Sequence, residues 1–232
     1  LLLFAGCDVA TRTDQQSGGT PFLLADGYNS PQEAFDANGV AYRARDWGTV
    51  YDARTVDSQK EMVARSLADC INTAEGIAPL KESVKQHPND RISELIRDYE
   101  SEVRMRNQLL ANHNVSRDDL PESVDTLHDD WPQVYRQLAS LVPNPRQFYI
   151  DYMDVTKTFE ARHERSDSDA KLIDLTIDGD FAHGLVEAEF PANLLGPSRI
   201  EFQRIDGKWY VHTADLARRQ LRERFGPDQA KE

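Results

Sequence analysis

The sequence predicts an α+β fold, with N-terminal helices packed on a C-terminal antiparallel meander of about four strands. Three observations carry that reading. Between Ser30 and Phe159 apolar residues recur at helical spacing. From Lys171 onward the period changes to two. Two Asp-Gly pairs, Asp178-Gly179 and Asp206-Gly207, sit where alternating stretches end, as hairpin turns require. Helices first and strands last is the order of an α+β chain, not of an alternating α/β one.

The elements follow in order. Ser30-Pro31-Gln32-Glu33 is a capping box with proline at the first helical position, and Ala34, Phe35, Ala41 and Tyr42 continue it. Asp46-Trp47 opens a short helix with Trp47, Val50 and Tyr51 on one face. Ser58-Gln59-Lys60-Glu61 reads as a second capping box, followed by the stripe Met62, Val63, Leu67, Cys70, Ile71, Ala74, with Gly76 as its stop. After the turn at His87-Pro88-Asn89, a long amphipathic helix runs from Asp90 to about Ala111 with a densely charged outer face. A short helical segment is expected after Pro121, another through Val134, Tyr135, Leu138 and Leu141, and a last one from Asn144-Pro145 through Phe159. Ile173, Leu175 and Ile177 alternate on the first strand, and Ala182, Gly184, Val186, Ala188 and Phe190 on the second. Ile200 and Phe202 lead to the second turn, and Trp209, Val211 and Thr213 face one way on the last strand. Asp215 to Phe225 closes the chain as a short helix rich in arginine.

The 232 residues carry 27 Lys and Arg against 40 Asp and Glu, a formal charge of −13. Nucleic-acid binding needs a basic face, which such a balance excludes as the main activity. Broad adhesion to an anionic membrane surface is disfavoured for the same reason. The acid is spread over helix faces and turns with no single block, as on a solubilising surface. The two cysteines, Cys7 and Cys70, provide no disulfide framework and no thiolate metal site. Cys70, between Leu67 and Ile71 on a helical stripe, reads as a small core residue.

The chain opens Leu1-Leu2-Leu3-Phe4-Ala5-Gly6-Cys7-Asp8. Phe4-Ala5-Gly6-Cys7 resembles the lipobox of a bacterial lipoprotein, with phenylalanine where leucine is usual. The resemblance implies that residues 1–6 are the end of a truncated signal peptide and that Cys7 carries lipid. Two or more acyl chains would hold the protein stably on a membrane. Asp8 is similar to an inner-membrane retention signal. Residues 7–29, rich in Thr, Gln, Ser and Gly, then read as the lipidated cysteine and a flexible tether with a reach of about 25 Å. The folded domain is expected over 30–226.

Ser30-Pro31-x-Glu33-Ala34-Phe35 with Asp46-Trp47-x-x-Val50-Tyr51-Asp52 is similar to the opening helices of NTF2-like (cystatin-like cone) domains. Ile177-Asp178-Gly179-Asp180-x-Ala182 and Ile200-x-Phe202, then Asp206-Gly207-Lys208-Trp209-Tyr210-Val211, resemble that superfamily's C-terminal hairpins. The match covers about 30–56 and 145–213, and the stretch of about 78–143 reads as a helical insertion. These motifs carry a fold and no chemistry, and the fold hosts enzymes, ligand binders and assembly modules alike.

Catalytic signatures are absent from the sequence: there is no His-Glu-x-x-His, phosphate loop, Gly-x-Ser-x-Gly or dinucleotide fingerprint. The resemblance implies that an enzymatic member would place a carboxylate or histidine in the cone. The candidates are His183 and His212 on the strands and Asp151, with Tyr152 and Asp154, on the preceding helix. His183 has the opposite parity to Ala182, Gly184 and Val186, so it points either into the cone or out to solvent; a hydrogen-bonded surface residue is the plainer account of each candidate. Asp174, Asp178 and Asp180 invite a calcium ion, although strand alternation plus a turn explains them. Trp47, Trp131 and Trp209 line either a ligand pocket or, more simply, a core. No metal or cofactor is expected.

The reading that results is a lipid-anchored, extracytoplasmic binding or interaction domain of the bacterial cell envelope. Its partners would be the membrane, through lipid on Cys7, and an unknown small ligand or envelope protein. One alternative is an envelope enzyme using an acid/base residue of the cone. The other is a structural module that docks a partner through its long helix, for which an exposed apolar patch on Asp90 to about Ala111 would be the sign.

Overall fold

The computed structural model describes residues 22, 24–86, 90–126, 128, 130–160, 170–187, 198–216 and 219–220. Among them six helices precede four strands, so the chain is α+β in the order expected. The helices are α1 (Pro31–Arg43), α2 (Trp47–Asp52), α3 (Val56–Gln86), α4 (Asp90–Asn112), α5 (Trp131–Ser140) and α6 (Pro145–Glu160). The strands β1 (Lys171–Asp178), β2 (Phe181–Glu187), β3 (Ser198–Ile205) and β4 (Lys208–Val211) form one antiparallel sheet in sequence order. Cys7, residues 1–6 and most of the expected tether lie outside the described residues.

Local chemistry sets most helix starts. Ser30 accepts from the Glu33 amide at 3.1 Å, and the Glu33 carboxylate reaches back to the Asn29 amide at 2.9 Å, completing the expected cap. Asp46 caps α2 through the Thr49 amide at 3.1 Å, and Asn144 receives the Gln147 amide at 3.3 Å below α6.

Four local readings are corrected. The helix α3 does not stop at Gly76 but runs on to Gln86. A helical glycine costs only about 1 kcal/mol relative to alanine, which packing against α4 overrides; a Lys81–Glu100 ion pair of 2.6 Å ties the two helices together beyond that point. Nor do Ser58 and Glu61 cap it. The helix begins at Val56, with the Ser58 amide donating to Thr55 Oγ1 at 3.4 Å, so both side chains lie inside the helix and serve other partners. Among the described residues no separate helix lies between Pro121 and α5; the ordered turn, a 3₁₀ turn at 117–119, precedes Pro121. Finally, β4 ends at Val211, because the Thr213 amide turns away to Ser58 Oγ at 2.8 Å.

Two apolar clusters close the molecule. The larger lies among the helices, with Val63, Leu67 and Ile71 of α3 against Leu109 and Leu110 of α4, Trp131 and Leu138 of α5, and Phe148 of α6. The stretch 78–143, expected as an insertion, shares this core. The long helix α4 packs its apolar side on α3 and α6, and among the described residues it carries no exposed large hydrophobic side chain. The smaller cluster joins Ala34 and Phe35 of α1 to Ala182, Phe202, Trp209 and Val211 of the sheet. All three tryptophans are core residues: Trp47, Trp131 and Trp209 are buried.

The sheet's register explains its uneven burial. A bulge interrupts β1 between Ile173 and Thr176, with Asp174 at φ 52. It puts Leu172 opposite Val186 on the side facing α1, in place of the simple alternation Ile173, Leu175, Ile177. Leu172 lies over Gly184, where a β-carbon would come within 2.7 Å of its Cδ1 and 3.1 Å of the Ile173 carbonyl, so a larger residue there would have to displace the Leu172 side chain. In the β3–β4 turn Asp206 and Gly207 both have positive φ, 50 and 79, the backbone of a two-residue hairpin of the I′ kind. The β1–β2 turn uses Gly179-Asp180, one residue later than expected.

The β4 edge is covered on both sides of its length. Tyr28 and Trp209 exchange backbone hydrogen bonds of 3.0 and 2.8 Å, and the Tyr210 hydroxyl donates to the Ala25 carbonyl at 2.8 Å. Chain contact with the sheet therefore begins before Ser30. Further along, the Val211 amide donates to the Ala53 carbonyl at 2.9 Å and the Thr55 amide to the Val211 carbonyl at 3.1 Å.

Candidate functional site

The helices build a cleft of about 430 Å³ between α3 and α6, bordered also by Thr126. From α3 come Met62, Ser66, Asp69 and, beside them, Arg65 and Asn72. Their numbers step by three and four, so they form one stripe along the helix, next to the apolar stripe that enters the core. From α6 come the rings of Tyr149 and Tyr152. Its volume falls within the range of small-molecule sites.

Charges at the cleft are held from behind. Arg106 of α4, a residue only 4% exposed, pairs through its guanidinium with Asp69 in a very close contact and with Glu102 at 2.6 Å. Burial alone would lower its pKa, but Asp69, Tyr152 and Glu102 outweigh that, and the group is held above its ordinary value. The Tyr152 hydroxyl donates to the same Asp69 Oδ2 at 2.6 Å. Burial and then the Asp69 charge push the Tyr152 phenol well above its usual range, so it stays a neutral donor. Oδ2 thus takes both inward donors, while 43% of the Asp69 side chain remains open.

Arg65 is held in a similar way. Its Nε and Nη2 donate to Glu61 Oε1 at 3.0 and 2.6 Å, and its guanidinium lies 5.4 Å from the centre of the Trp131 ring. Glu61 is a buried hub: it also accepts from Trp131 Nε1 at 3.0 Å and from the Asp215 amide at 2.6 Å. Asn72 is clamped to Val124 by a donated bond of 2.9 Å and an accepted one of 3.1 Å. Behind the cleft Cys70 is buried, and burial pushes its thiol up to about 11, so it is a packing residue and not a nucleophile.

The residues singled out in the sequence do not converge. On α6, Asp151 accepts from Gln147 and meets His113 Nε2 at 2.8 Å, Tyr152 turns to α3, and Asp154 accepts from Trp47 Nε1 at 2.9 Å. Three neighbouring side chains thus tie α6 to α2, to α3 and to the residue just after α4, a bracing pattern. His183 is exposed, on the sheet side opposite Ala182, between Thr176 and Glu201. His212 is half-buried, its Nδ1 3.0 Å from Thr55 Oγ1. Burial, helped by Arg219, lowers its pKa, while Glu201, Asp57 and Glu61 oppose the shift. Of the aspartates considered for calcium, Asp180 binds Arg204 at 2.8 Å and Asp174 occupies the bulge. Among the described residues no three His, Cys, Asp or Glu side chains gather as metal ligands would. Of the terminal arginines, Arg219 makes a paired contact with Glu201 at 2.8 and 3.2 Å, while Arg218, Arg222 and Arg224 lie outside the described residues.

Sequence reasoning missed Arg65, Asp69 and Asn72. The available signal was a polar stripe at helical spacing beside the apolar stripe of Val63, Leu67, Cys70 and Ile71. No family model, curated protein or solved structure matches this chain. Among the described residues no helix is long and apolar enough to cross a membrane.

Proposed function

We propose that this protein is a lipid-anchored binding domain of the bacterial cell envelope that takes a small polar ligand in the cleft between α3 and α6. The observation that carries the binding half of this reading is the cleft itself: about 430 Å³, aromatic on one wall, with charged side chains fixed from behind by Arg106 and Glu61. Pre-set side chains lower the ordering cost of binding. The anchor half is supported by Phe4-Ala5-Gly6-Cys7 and the polar stretch after it, and Asp8 favours the inner membrane. The order of helices and a meander closed by Trp209 is compatible with an NTF2-like domain.

Two measurements test the two halves separately. Cells producing the full-length protein are labelled with a fatty-acid probe beside Cys7→Ala; labelling that survives the substitution ends the anchor reading. A thermal-shift panel of small metabolites is run on the protein and on Thr126→Trp, which places a large ring at the cleft. Ligands that stabilise the first and not the second are expected, and a panel with no such ligand overturns the cleft as a site.

A further inference from the structure

This inference rests on the cleft being a binding site and specifies what it accepts. We propose that the α3–α6 cleft binds a small zwitterion of the α-amino-acid type, with its ammonium on Asp69 and its carboxylate on Arg65.

Most polar groups that line the cleft already have partners within the protein. Asn72 has its amide oxygen and one amide hydrogen engaged by Val124. The Ser66 hydroxyl donates to the Met62 carbonyl at 2.9 Å, and the Tyr152 hydroxyl to Asp69. Most of the neutral hydrogen-bonding capacity is therefore taken up inside the protein, which disfavours a neutral polyol. Besides the second Asn72 amide hydrogen and the Tyr149 hydroxyl, three groups remain. Among the described residues no donor reaches Asp69 Oδ1, no acceptor meets Arg65 Nη1, and the Thr126 hydroxyl has no partner.

The two charged groups belong to residues four apart on one helix, where β-carbons lie roughly 5–6 Å from each other. A simple organic cation would be drawn to Asp69 and repelled by Arg65, and a simple anion the reverse. One molecule carrying both charged groups on a single carbon satisfies both. A guanidinium presents its free edge to a carboxylate, and a carboxylate oxygen accepts well from an ammonium. The Tyr149 and Tyr152 rings and Met62 leave an apolar space beyond the charges for an aliphatic or aromatic side chain. Arg106 stands behind Asp69 and fixes its Oδ2, and Arg65 keeps its orientation because Glu61 and the Trp131 ring hold it.

Calorimetric titration of the full chain with a matched set decides the matter: norvaline, butylamine, which lacks its carboxylate, and valerate, which lacks its ammonium. Norvaline is expected to bind at least tenfold more tightly than either. Asp69→Asn and Arg65→Met are each expected to weaken norvaline at least tenfold. Arg65→Met keeps the test decisive should Asp69→Asn loosen Arg106 and the fold, which circular dichroism reports. Butylamine or valerate matching norvaline overturns the proposal, as does unchanged norvaline affinity in a folded Arg65→Met protein. A neutral compound whose binding is lost in Thr126→Trp, with norvaline silent, overturns the zwitterion and leaves the cleft reading standing.

Discussion

The helices and the sheet of this protein bury their apolar groups on very different scales. In the helical region, side chains from α2 to α6 meet in one cluster, and its polar groups lie between helices as buried connectors. In the sheet, one helix covers one face, and the buried cluster is confined to a few residues around Phe202 and Trp209. At the far end of β1 and β2, Ile177 and Phe181 are each 56% exposed. The difference teaches where rigidity is available: a cleft whose side chains must stay in place is built on the braced helices, not on the sheet.

Trp131→Ala should show this most strongly. The ring is fully buried, and its Nε1 holds Glu61. Truncating a buried tryptophan costs about 3–5 kcal/mol through lost contacts and the cavity left behind. Urea unfolding should record a loss of that size, together with weakened ligand binding, since Arg65 rests on the same ring and the same carboxylate. A loss no larger than that of a surface substitution would mean that the helices do not carry the stability.

The next substitution lies at the seam between the two regions. Ser58 Oγ accepts from the Thr213 and Ala214 amides at 2.8 and 3.1 Å, just where β4 ends. Ser58→Ala leaves one buried and one partly buried donor unpaired and should cost about 1–3 kcal/mol. Amide exchange is the sharper readout: faster exchange confined to Thr213, Ala214 and β4, with α4 and α5 unchanged, is expected. Uniform acceleration would indicate that the seam does not separate two levels of stability.

The helical segments and the hairpins were legible because caps, Asp-Gly turns and the change of period from 3.6 to 2 are local signals. What the sequence hid is long-range. Ser58-x-x-Glu61 has the spacing of a capping box, and only the fold reveals that its oxygens serve residues more than 150 positions away, Thr213 and Asp215. Gly76 reads as a stop, yet the helix continues because α4 packs along it. The bulge at Asp174 leaves the composition of β1 unchanged while turning Leu172 inward. The cleft was invisible for a related reason: Asp69 is read as surface charge until Arg106, 37 residues further on, is seen to stand behind it. Asp151 and His212 were legible as polar groups near packed elements, but their partners, His113 and Thr55, were not.

His212 gives a smaller effect at the same seam, with a defined sign. Burial lowers its pKa below the ordinary 6.5, so the unfolded chain takes up a proton before the folded one does. The stability this residue contributes is therefore complete above about pH 6.5 and is lost as the pH falls from there toward its folded value. Comparing the protein with His212→Gln by urea unfolding at pH 7.5 and pH 5.5, the original should lose more stability on acidification than the variant. A gap between the two that does not change with pH would show that the imidazole is not held neutral by burial.

The smallest effect is expected at the end of the sheet farthest from the helices. Ile177 and Phe181 are more than half exposed and lie on opposite faces, since Ile177 pairs with buried Ala182 and Phe181 with Asp178. Little apolar area leaves water at either position, so Ile177→Thr and Phe181→Ser should each change stability by no more than about 0.5 kcal/mol. Threonine also keeps the branched side chain that a strand favours. Phe202→Ala, in the buried cluster of the same sheet, supplies the contrast and should cost about 3–5 kcal/mol. Should Ile177→Thr and Phe202→Ala prove equally costly, something beyond the described residues covers the end of β1, and the two regions are less unequal than their buried clusters make them.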